Sequence, residues 1–405
     1  MTSTEHEELV ARTYREEYGR CVATLTRVLG DLSLAEDMVQ EAFTAALTAW
    51  PDAVPPNPGA WIVVTARNRA IDRLRREAKR EQKHAEALVV HAPTKWEEVG
   101  PVADDQLRLI FTCCHPALAP DARVALTLRT LGGLTTTEVA RAFLMQESTI
   151  AQRIVRAKKK IATARIPYRI PADHDLPDRL GSVLAVIYLI FTQGYSPSVG
   201  AELVRTDLCV EAVRLARLLA ELMPDEEEAV GLLALLLLTE SRRPARTGPG
   251  GELVPLTEQD RNRWDHDLIS EGQALVRWCL RRNRPGAYQV QAAIAAVHSD
   301  AATAGATDWR QILALYDQLQ HLAPSPVVAL NRAVALAEVA GPEQALAAVG
   351  DLDLDGYYLL HATRADLLTR LGRTAEAVQA WRRAGELTEN DVERRFIASR
   401  LSALG

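Results

Sequence analysis

The stretch from residue 148 to residue 161, STIAQRIVRAKKKI, is two-sided if it forms a helix. Apolar residues follow one another there at steps of three and four, which predicts a stripe that packs into a core. These residues are Ile150, Ile154, Ala157 and Ile161. A polar, mostly basic stripe runs one residue earlier, at Thr149, Arg153, Arg156 and Lys160. A chain with this pattern must bury one side of the helix and present positive charge on the other.

Helical periodicity and Ala-, Leu- and Arg-rich composition extend over most of the 405 residues, of which 48% are hydrophobic. The β-branched run WIVV at 61–64 also lies inside a helical pattern. We therefore predict an all-α fold. Breaks rich in Pro, Gly or Asp occur at 50–59, 91–105, 166–178 and 242–255. We interpret the second and third as domain boundaries and the TGPGG segment of the fourth as a loop tip.

The C-terminal region contains two similar units. LAEVAGPEQALAAV at 336–349 and LLTRLGRTAEAVQAW at 367–381 both consist of a helix, a glycine and an Ala-rich helix. Their glycines, Gly341 and Gly372, are 31 residues apart, close to the tetratricopeptide period of about 34 residues. The pattern predicts a packed, tetratricopeptide-like helical array.

The segment before the basic stripe completes a motif. Gly132 and Gly133 are predicted to end one helix, while Thr135 and Glu138 have the spacing of a capping box that begins the next. Two short helices joined in this way form a helix-turn-helix, whose second helix lies in the major groove of DNA. Arginine there reads guanine and lysine neutralises phosphate. The alternative is a solvated charged surface, and we favour DNA contact.

A second basic helix is predicted over residues 60–83, which contain eight Lys and Arg against three Asp and Glu. Its basic stripe consists of Arg69, Arg73, Arg76 and Arg80. Its predicted apolar stripe consists of Trp61, Val64, Ile71 and Leu74. From this helix alone, DNA contact and a solvated face remain equally open.

A third helix, predicted over residues 31–47, carries an acidic face. Its predicted core positions are Ala35, Met38, Val39, Ala42 and Phe43. Its polar positions are Glu36, Asp37, Gln40 and Glu41. A face of this kind favours docking on a basic partner helix.

Other features limit the chemistry of the chain. The five cysteines include no CxxC pair and are odd in number, which indicates a reducing compartment and buried thiols. We interpret Cys113 and Cys114 as part of a small buried patch and predict no metal and no cofactor. The best catalytic candidate is His266, between two aspartates, but no histidine has metal-ligand spacing, and we predict that the protein is not an enzyme.

The distribution of charge and hydropathy bears on partners and location. Residues 1–171 carry a net charge of +3, whereas residues 172–405 carry −9, so the two parts favour different partners. No run of about 18 apolar residues appears, and the N-terminus has neither a basic start nor an apolar segment. We expect a cytoplasmic protein without membrane contact.

Three stretches, taken together and in order, carry a resemblance. They are DLSLAEDMVQEAF at 31–43, GAWIVVTARNRAIDRLRR at 59–76 and GGLTTTEVARAFLMQESTIAQRIVRAKKKI at 132–161. Over roughly residues 8–165 the chain resembles a bacterial sigma factor of the extracytoplasmic-function class. The resemblance implies sigma region 2 at 8–83, a linker at 84–103 and region 4 at 104–165, followed by a helical regulatory extension at 179–405.

The resemblance also implies roles for individual residues. The clamp helices of the polymerase β′ subunit would be contacted by Asp31, Glu36, Asp37, Gln40 and Glu41. The −10 element would be melted and read by Arg67, Asn68, Arg69, Arg73, Arg75 and Arg76. The −35 element would be read by Ser148, Thr149, Gln152, Arg153, Arg156, Lys159 and Lys160. Region 4 would also meet the β flap, and the extension would offer a surface to a protein partner that the resemblance does not identify.

The chain departs from the family pattern by continuing for about 235 residues beyond region 4. The extension resembles that of a subgroup with a tetratricopeptide-like C-terminal domain. The predicted function is that of a sigma factor that binds core RNA polymerase and directs it to promoter DNA. Two alternatives remain: a helix-turn-helix regulator with a sensing domain that never joins the polymerase, and a helix-turn-helix protein joined to a metal-dependent hydrolase.

Overall fold

The computed structural model describes residues 3–50, 54–82, 102–143, 145–172, 174–197 and 199–404. The predicted linker lies outside these residues up to position 101. The chain forms two compact units, Met1–Ile187 and Tyr188–Gly405. Both are helical, and the all-α prediction is confirmed.

The first unit is built from seven helices in its described residues, with an eighth that continues into the second unit. Their bounds are α1 Ser3–Leu29, α2 Leu32–Ala49, α3 Pro58–Gln82, α4 Val102–Cys113, α5 Pro120–Thr130, α6 Thr136–Ala142, α7 Glu147–Thr163 and α8 Leu176–Tyr195. The long helix α1 packs against α2, α3, α4 and α5, and α7 packs against α5 and α6. The segments predicted as regions 2 and 4 therefore share one compact unit around α1.

Two predicted apolar stripes lie in the core of this unit. The five predicted core positions of α2 are all buried. On α7, Ile150, Ile154 and Ala157 are buried and Ile161 is half-buried. Both predictions are confirmed, because in these two helices the helical spacing of the apolar residues marks a single buried side.

The predicted apolar stripe of α3 is wrong at Val64 and Leu74, whereas Trp61 and Ile71 are half-buried. Its buried residues are Ile62, Ala66 and Ala70, whereas Val64 and Leu74 are 49% and 45% exposed. The predicted and the observed sets both have helical spacing, and the prediction chose the set with the larger side chains. Alanine at steps of four lets α3 lie close to α1 and α2, against which it packs.

The second unit is an array in which each helix packs against the next. The helices are α9 Thr206–Leu222, α10 Glu227–Glu240, α11 His266–Arg282, α12 Ala287–Asp300, α13 Trp309–Leu322, α14 Pro326–Ala340, α15 Pro342–Gly350, α16 Tyr358–Arg370, α17 Thr374–Leu387 and α18 Asp391–Ser402. Short 3-10 turns lie at Arg243–Ala245, Leu256–Glu258, Arg261–Arg263 and Ala304–Ala306. The most apolar helix, α10, is buried along most of its length among α9, α11 and α12.

The predicted helix–glycine–helix units are present. Gly341 lies between α14 and α15 with a φ of 97°, and Gly372 lies between α16 and α17 with a φ of 71°. Glycine is favoured in both turns because other residues rarely adopt this left-handed region. TGPGG lies in a loop, as predicted, with Gly251 at a φ of 76°.

The end of the array returns to its beginning through two very short strands. β1, Val199–Gly200, runs parallel to β2, Glu389–Asn390. The buried Asn390 amide donates to the carbonyl oxygens of Pro197 at 3.2 Å and Glu202 at 2.9 Å. These bonds connect the start of the second unit to the N-terminus of α18.

Two glycines of α8 provide a matched test of packing. A Cβ on Gly194 would lie 2.8 Å from the Cys209 backbone nitrogen and 2.8 Å from Leu208 Cβ, whereas one on Gly181 would meet nothing within 4 Å. We expect Gly194→Ala to destabilise the protein by about 1–3 kcal/mol because α9 must move. Gly181→Ala should be neutral or stabilising by about 0.5–1 kcal/mol. Denaturant unfolding checks both, and equal effects would contradict the close approach.

Candidate functional site

The acidic helix α2 begins with a capped turn. The Asp31 carboxylate accepts from the backbone N–H groups of Ser33 at 2.7 Å and Leu34 at 3.0 Å. A side chain in this position satisfies amide groups that the helix leaves open. Asp31 therefore holds the start of α2, and a contact with polymerase remains a prediction.

Glu36 does not lie on an exposed acidic face, and that part of the prediction is wrong. Its side chain is only 2% exposed. It forms an ion pair with Lys158 of α7 and accepts a hydrogen bond from the Thr130 hydroxyl at 3.0 Å. Helical spacing places Glu36 beside Asp37 and Gln40, but it does not show that the helix-turn-helix segment covers this position.

The remaining acidic residues of α2 face the arginines of α3. Asp37 lies 3.5 Å from Arg73, and Glu41 lies 3.2 Å from Arg69. A groove of about 580 Å³ runs between these side chains, with Gln40 at its edge. The two carboxylates are 56% and 49% exposed, so each ion pair contributes at most about 1 kcal/mol. The structure thus joins two sets of residues that were predicted separately.

The other predicted −10 residues continue along α3. Asn68, Arg75 and Arg76 are exposed, and Arg67 is half-buried. Arg76 donates to the backbone oxygen of Asp72, one turn earlier, at 3.1 Å. Most of this arginine-rich surface is therefore accessible to a large anionic partner.

The helix-turn-helix forms as predicted. The Thr135 hydroxyl accepts from the Glu138 N–H at 3.1 Å, and the Glu138 carboxylate accepts from the Thr135 N–H at 2.7 Å. These reciprocal bonds are the two halves of a capping box. A short turn then leads from α6 to α7.

The polar side of α7 is largely open. Thr149 and Arg153 are half-buried, and the other predicted −35 residues are exposed: Ser148, Gln152, Arg156, Lys159 and Lys160. Arg153 lies 3.2 Å from the exposed carboxylate of Asp121, at the start of α5. The helix therefore presents the basic stripe that its sequence predicts.

Comparison with known proteins identifies the two parts of the chain that contain these helices. A model of sigma-70 region 2 matches residues 13–80, and one of sigma-70 region 4 matches residues 108–161. The ECF RNA polymerase sigma factor SigK of Mycobacterium ulcerans is 30% identical over 152 residues, which are 36% of this chain and 79% of SigK. The chain belongs to the family of extracytoplasmic-function sigma factors. As a sigma factor, it directs transcription initiation by RNA polymerase.

The extension of this sigma factor is shared with other proteins. Residues 179–280 match a family of unknown function, DUF6596. An uncharacterized protein of Rhizobium meliloti strain 1021 is 43% identical over 394 residues, which are 95% of this chain and 93% of that protein. The crystal structure of yeast Tom70 is 12% identical with a TM-score of 0.38, covering 99% of this chain and 84% of that one. A similarity at that level assigns no function to the extension.

Sequence reasoning missed the contacts between regions 2 and 4 of the sigma factor. The Arg129 guanidinium at the end of α5 lies 3.4 Å from the Tyr14 hydroxyl and 5.6 Å from the centre of the Tyr18 ring. Burial raises the pKa of Tyr18 well above its usual value, and the nearby Glu36 carboxylate raises it further. None of these contacts has a local signal, because the partners are far apart in sequence.

A second missed cluster surrounds Asp105 of α4, which is buried. Its carboxylate lies 2.9 Å from Arg27 of α1 and 2.7 Å from Arg108. The Tyr168 hydroxyl lies 2.7 Å from the Ala23 carbonyl oxygen and 3.0 Å from that of Asp105. The segment after α7 therefore also contacts both sigma regions.

The histidine candidates have individual surroundings in the described residues. Among the residues that the structure describes, no three His, Cys, Asp or Glu side chains are arranged to hold a metal ion. Asp265 caps α11, with its carboxylate 3.0 Å from the Asp267 N–H, and His266 is the first residue of that helix. Burial lowers the pKa of His298 to about 3, which keeps its imidazole neutral.

The thiols are buried, as predicted. All five cysteines are free and buried. Burial raises the pKa of Cys21 to about 12 and that of Cys114 and Cys279 to about 11. Since the thiolate is the reactive form, these thiols react slowly at neutral pH.

No helix within the described ranges is both long and apolar enough to cross a bilayer.

Proposed function

We propose that this sigma factor binds the β′ clamp helices of core polymerase through Asp37, Gln40 and Glu41, and promoter DNA through α3 and α7. The arrangement that carries the proposal is the groove between α2 and α3, where an acidic edge faces an arginine-rich edge. Region 4 would also meet the β flap. The protein itself catalyses no reaction, and it acts in the cytoplasm.

The ion pairs of this groove suit an exchange of partners. Both pairs are about half exposed, so water already screens them and little free energy holds them together. A basic clamp helix replaces Arg69 and Arg73 as the partner of the carboxylates. The released arginines then bind backbone phosphates of the opened −10 strand, where cations track the chain. In the free protein, the carboxylates that would bind polymerase and the arginines that would bind DNA therefore partly neutralise each other.

Readout of the −35 element rests on α7. In this proposal the exposed residues Ser148, Gln152 and Arg156 contact base edges, as the N-terminal residues of a recognition helix do. Lys159 and Lys160 lie one turn later and suit phosphate contacts. When DNA binds, Arg153 leaves the exposed Asp121 carboxylate and contacts the DNA instead.

In this proposal the extension has a regulatory role. One part of that role is to stabilise region 4. The Arg179 guanidinium at the start of α8 donates to the Phe111 backbone oxygen of α4 at 2.8 Å. Tyr168 is bonded to both sigma regions. Region 4 is small and has a thin core, so the segment that leads into the extension contributes to its stability. A protein partner of the array remains open.

The first prediction concerns polymerase binding. Asp37→Lys with Glu41→Lys should weaken binding to core polymerase by about 100-fold, because like charges then face a basic clamp. Glu343→Lys with Asp351→Lys is a control of equal charge change on exposed positions of the extension. Binding and run-off transcription are measured for both. Unchanged binding by the first double variant would remove α2 from the interface.

The second prediction concerns promoter recognition. Arg153→Ala and Arg156→Ala should each lower promoter affinity by about 1–3 kcal/mol, because a bidentate contact to a base is lost. Lys160→Ala should mainly reduce the salt dependence of binding. DNA titrations at two salt concentrations check both. Equal losses on promoter and random DNA would show that the arginines bind phosphate only.

The third prediction concerns the extension. A chain cut after Pro171 loses the bond from Arg179 to Phe111 and should direct less run-off transcription than the full chain. A chain cut after Ile187 keeps that bond and tests whether the first part of α8 is sufficient. Transcription by residues 1–171 equal to or above that of the full chain would show that the extension inhibits, as its net negative charge would allow.

A further inference from the structure

Regions 2 and 4 are held together in the free sigma factor, and this arrangement differs from the one that a promoter requires. The −35 and −10 elements are about 25 base pairs apart, which is about 85 Å of B-DNA at 3.4 Å per base pair. A compact unit the size of Met1–Ile187 has a radius of gyration of about 16 Å and thus a diameter of about 40 Å. It cannot meet both elements until regions 2 and 4 separate.

Glu36 and Lys158 form one buried ion pair between the regions, and Asp105 with Arg27 forms another. The Glu36 side chain is 2% exposed and that of Lys158 is 21% exposed. The second Glu36 oxygen accepts from the Thr130 hydroxyl at 3.0 Å. Both partners of Glu36 belong to the segment that the region 4 model matches, whereas Glu36 belongs to region 2. Removing one partner leaves the other charge buried and unpaired, which is strongly unfavourable.

Other close contacts also join the two regions. A Cβ on Gly19 of α1 would lie 2.7 Å from the Leu131 backbone oxygen, so only glycine allows this approach. Arg129 adds its contacts with Tyr14 and Tyr18. These interactions give the closed arrangement its shape, while the Glu36–Lys158 pair makes it sensitive to charge.

We propose that the Glu36–Lys158–Thr130 contact is an autoinhibitory latch that holds regions 2 and 4 together until polymerase and promoter DNA supply replacement partners. The proposal rests on the proposed function, because that function identifies polymerase and promoter DNA as the partners that open the latch. On opening, the Glu36 carboxylate becomes available to a basic surface of the polymerase. The Lys158 ammonium becomes available to DNA phosphate. Both charges therefore change partners without remaining unpaired.

A native cysteine reports on the latch. Cys113, at the end of α4, is completely buried. Burial raises the pKa of its thiol well above the usual value, and the neighbouring Cys114 and Glu36 raise it further. Separation of the two regions removes part of this cover, so Cys113 should react faster with a thiol reagent. Cys209 and Cys279 of the second unit are internal controls.

The test uses the full chain and four variants. Lys158→Met and Glu36→Gln each remove one charge of the latch, and Glu36→Gln retains an oxygen for Thr130. The double variant Glu36→Lys with Lys158→Glu reverses the pair and restores attraction. Lys159→Met is the matched control, because Lys159 is the exposed neighbour of Lys158. Labelling of each cysteine is followed by mass spectrometry, and the radius of gyration by X-ray scattering.

We expect each single latch variant to raise the labelling rate of Cys113 at least about tenfold and to increase the radius of gyration, because the open fraction rises. The reversed pair should return both values toward those of the unchanged protein. Lys159→Met should alter neither. Unchanged labelling in both single variants, no recovery in the reversed pair, or an equal rise at Cys209 and Cys279 would overturn the latch.

A second measurement connects the latch to polymerase. Lys158→Met leaves the proposed polymerase-binding residues intact, so it should associate with core polymerase several-fold faster than the unchanged protein. An unchanged rate would contradict autoinhibition. Labelling of Cys113 requires no polymerase, whereas a failure of the unchanged protein to bind core polymerase would contradict the proposed function alone. The two failures are therefore distinguishable.

Discussion

The buried carboxylate of Glu36 connects the sigma regions of this protein. Glu36 lies on a helix that otherwise presents its acids to solvent, yet it is enclosed by Lys158 and Thr130 of region 4. A buried charge requires a partner of opposite sign with good geometry. Region 4 provides that partner, so the ion pair of Glu36 with Lys158 joins α7 to α2.

The exposed ion pairs of the same helix have a different physical character. Asp37 and Glu41 meet Arg73 and Arg69 in the presence of water, where screening leaves each pair with little net free energy. Such pairs dissociate readily when a larger charged partner arrives. One helix thus combines a buried contact that fixes an arrangement with surface contacts that exchange easily. A protein that alternates between a free and an assembled state needs both.

The predictable parts of the structure have local signals. The core positions of α2, the two-sided α7, the Thr135–Glu138 capping box and the glycine turns at Gly341 and Gly372 all follow from spacings of a few residues. The missed parts depend on residues far apart in the chain. Thr130 is 94 positions from Glu36, and Arg27 is 78 positions from Asp105. Periodicity reports which side of a helix is apolar, but it does not report which other helix covers a polar residue.

Positions of glycine and alanine show the same limit of prediction from sequence. Gly194 lies one residue before the end of α8, where glycine commonly ends a helix. The stronger constraint is the backbone of α9, which leaves no space for a side chain at that position. The buried face of α3 was missed for a similar reason, since Ala66 and Ala70 are small but lie where helices meet most closely. Close approach between helices is a property of pairs, which a single stretch of sequence does not contain.

The energetics of a buried ion pair explain why a latch of this kind is firm against mutation and still open to regulation. Removing one partner costs about 3–5 kcal/mol, because the remaining charge stays buried. Separation of both partners is far less unfavourable, because each regains water or a new counter-charge, and the net contribution of a buried pair is often near zero. Glu36 and Lys158 belong to different sigma regions, so opening exposes them together. A basic surface on polymerase and a phosphate on DNA then supply the counter-charges that water supplies only in part. The closed state therefore yields to its specific partners at a lower free-energy cost than the loss of either charged side chain.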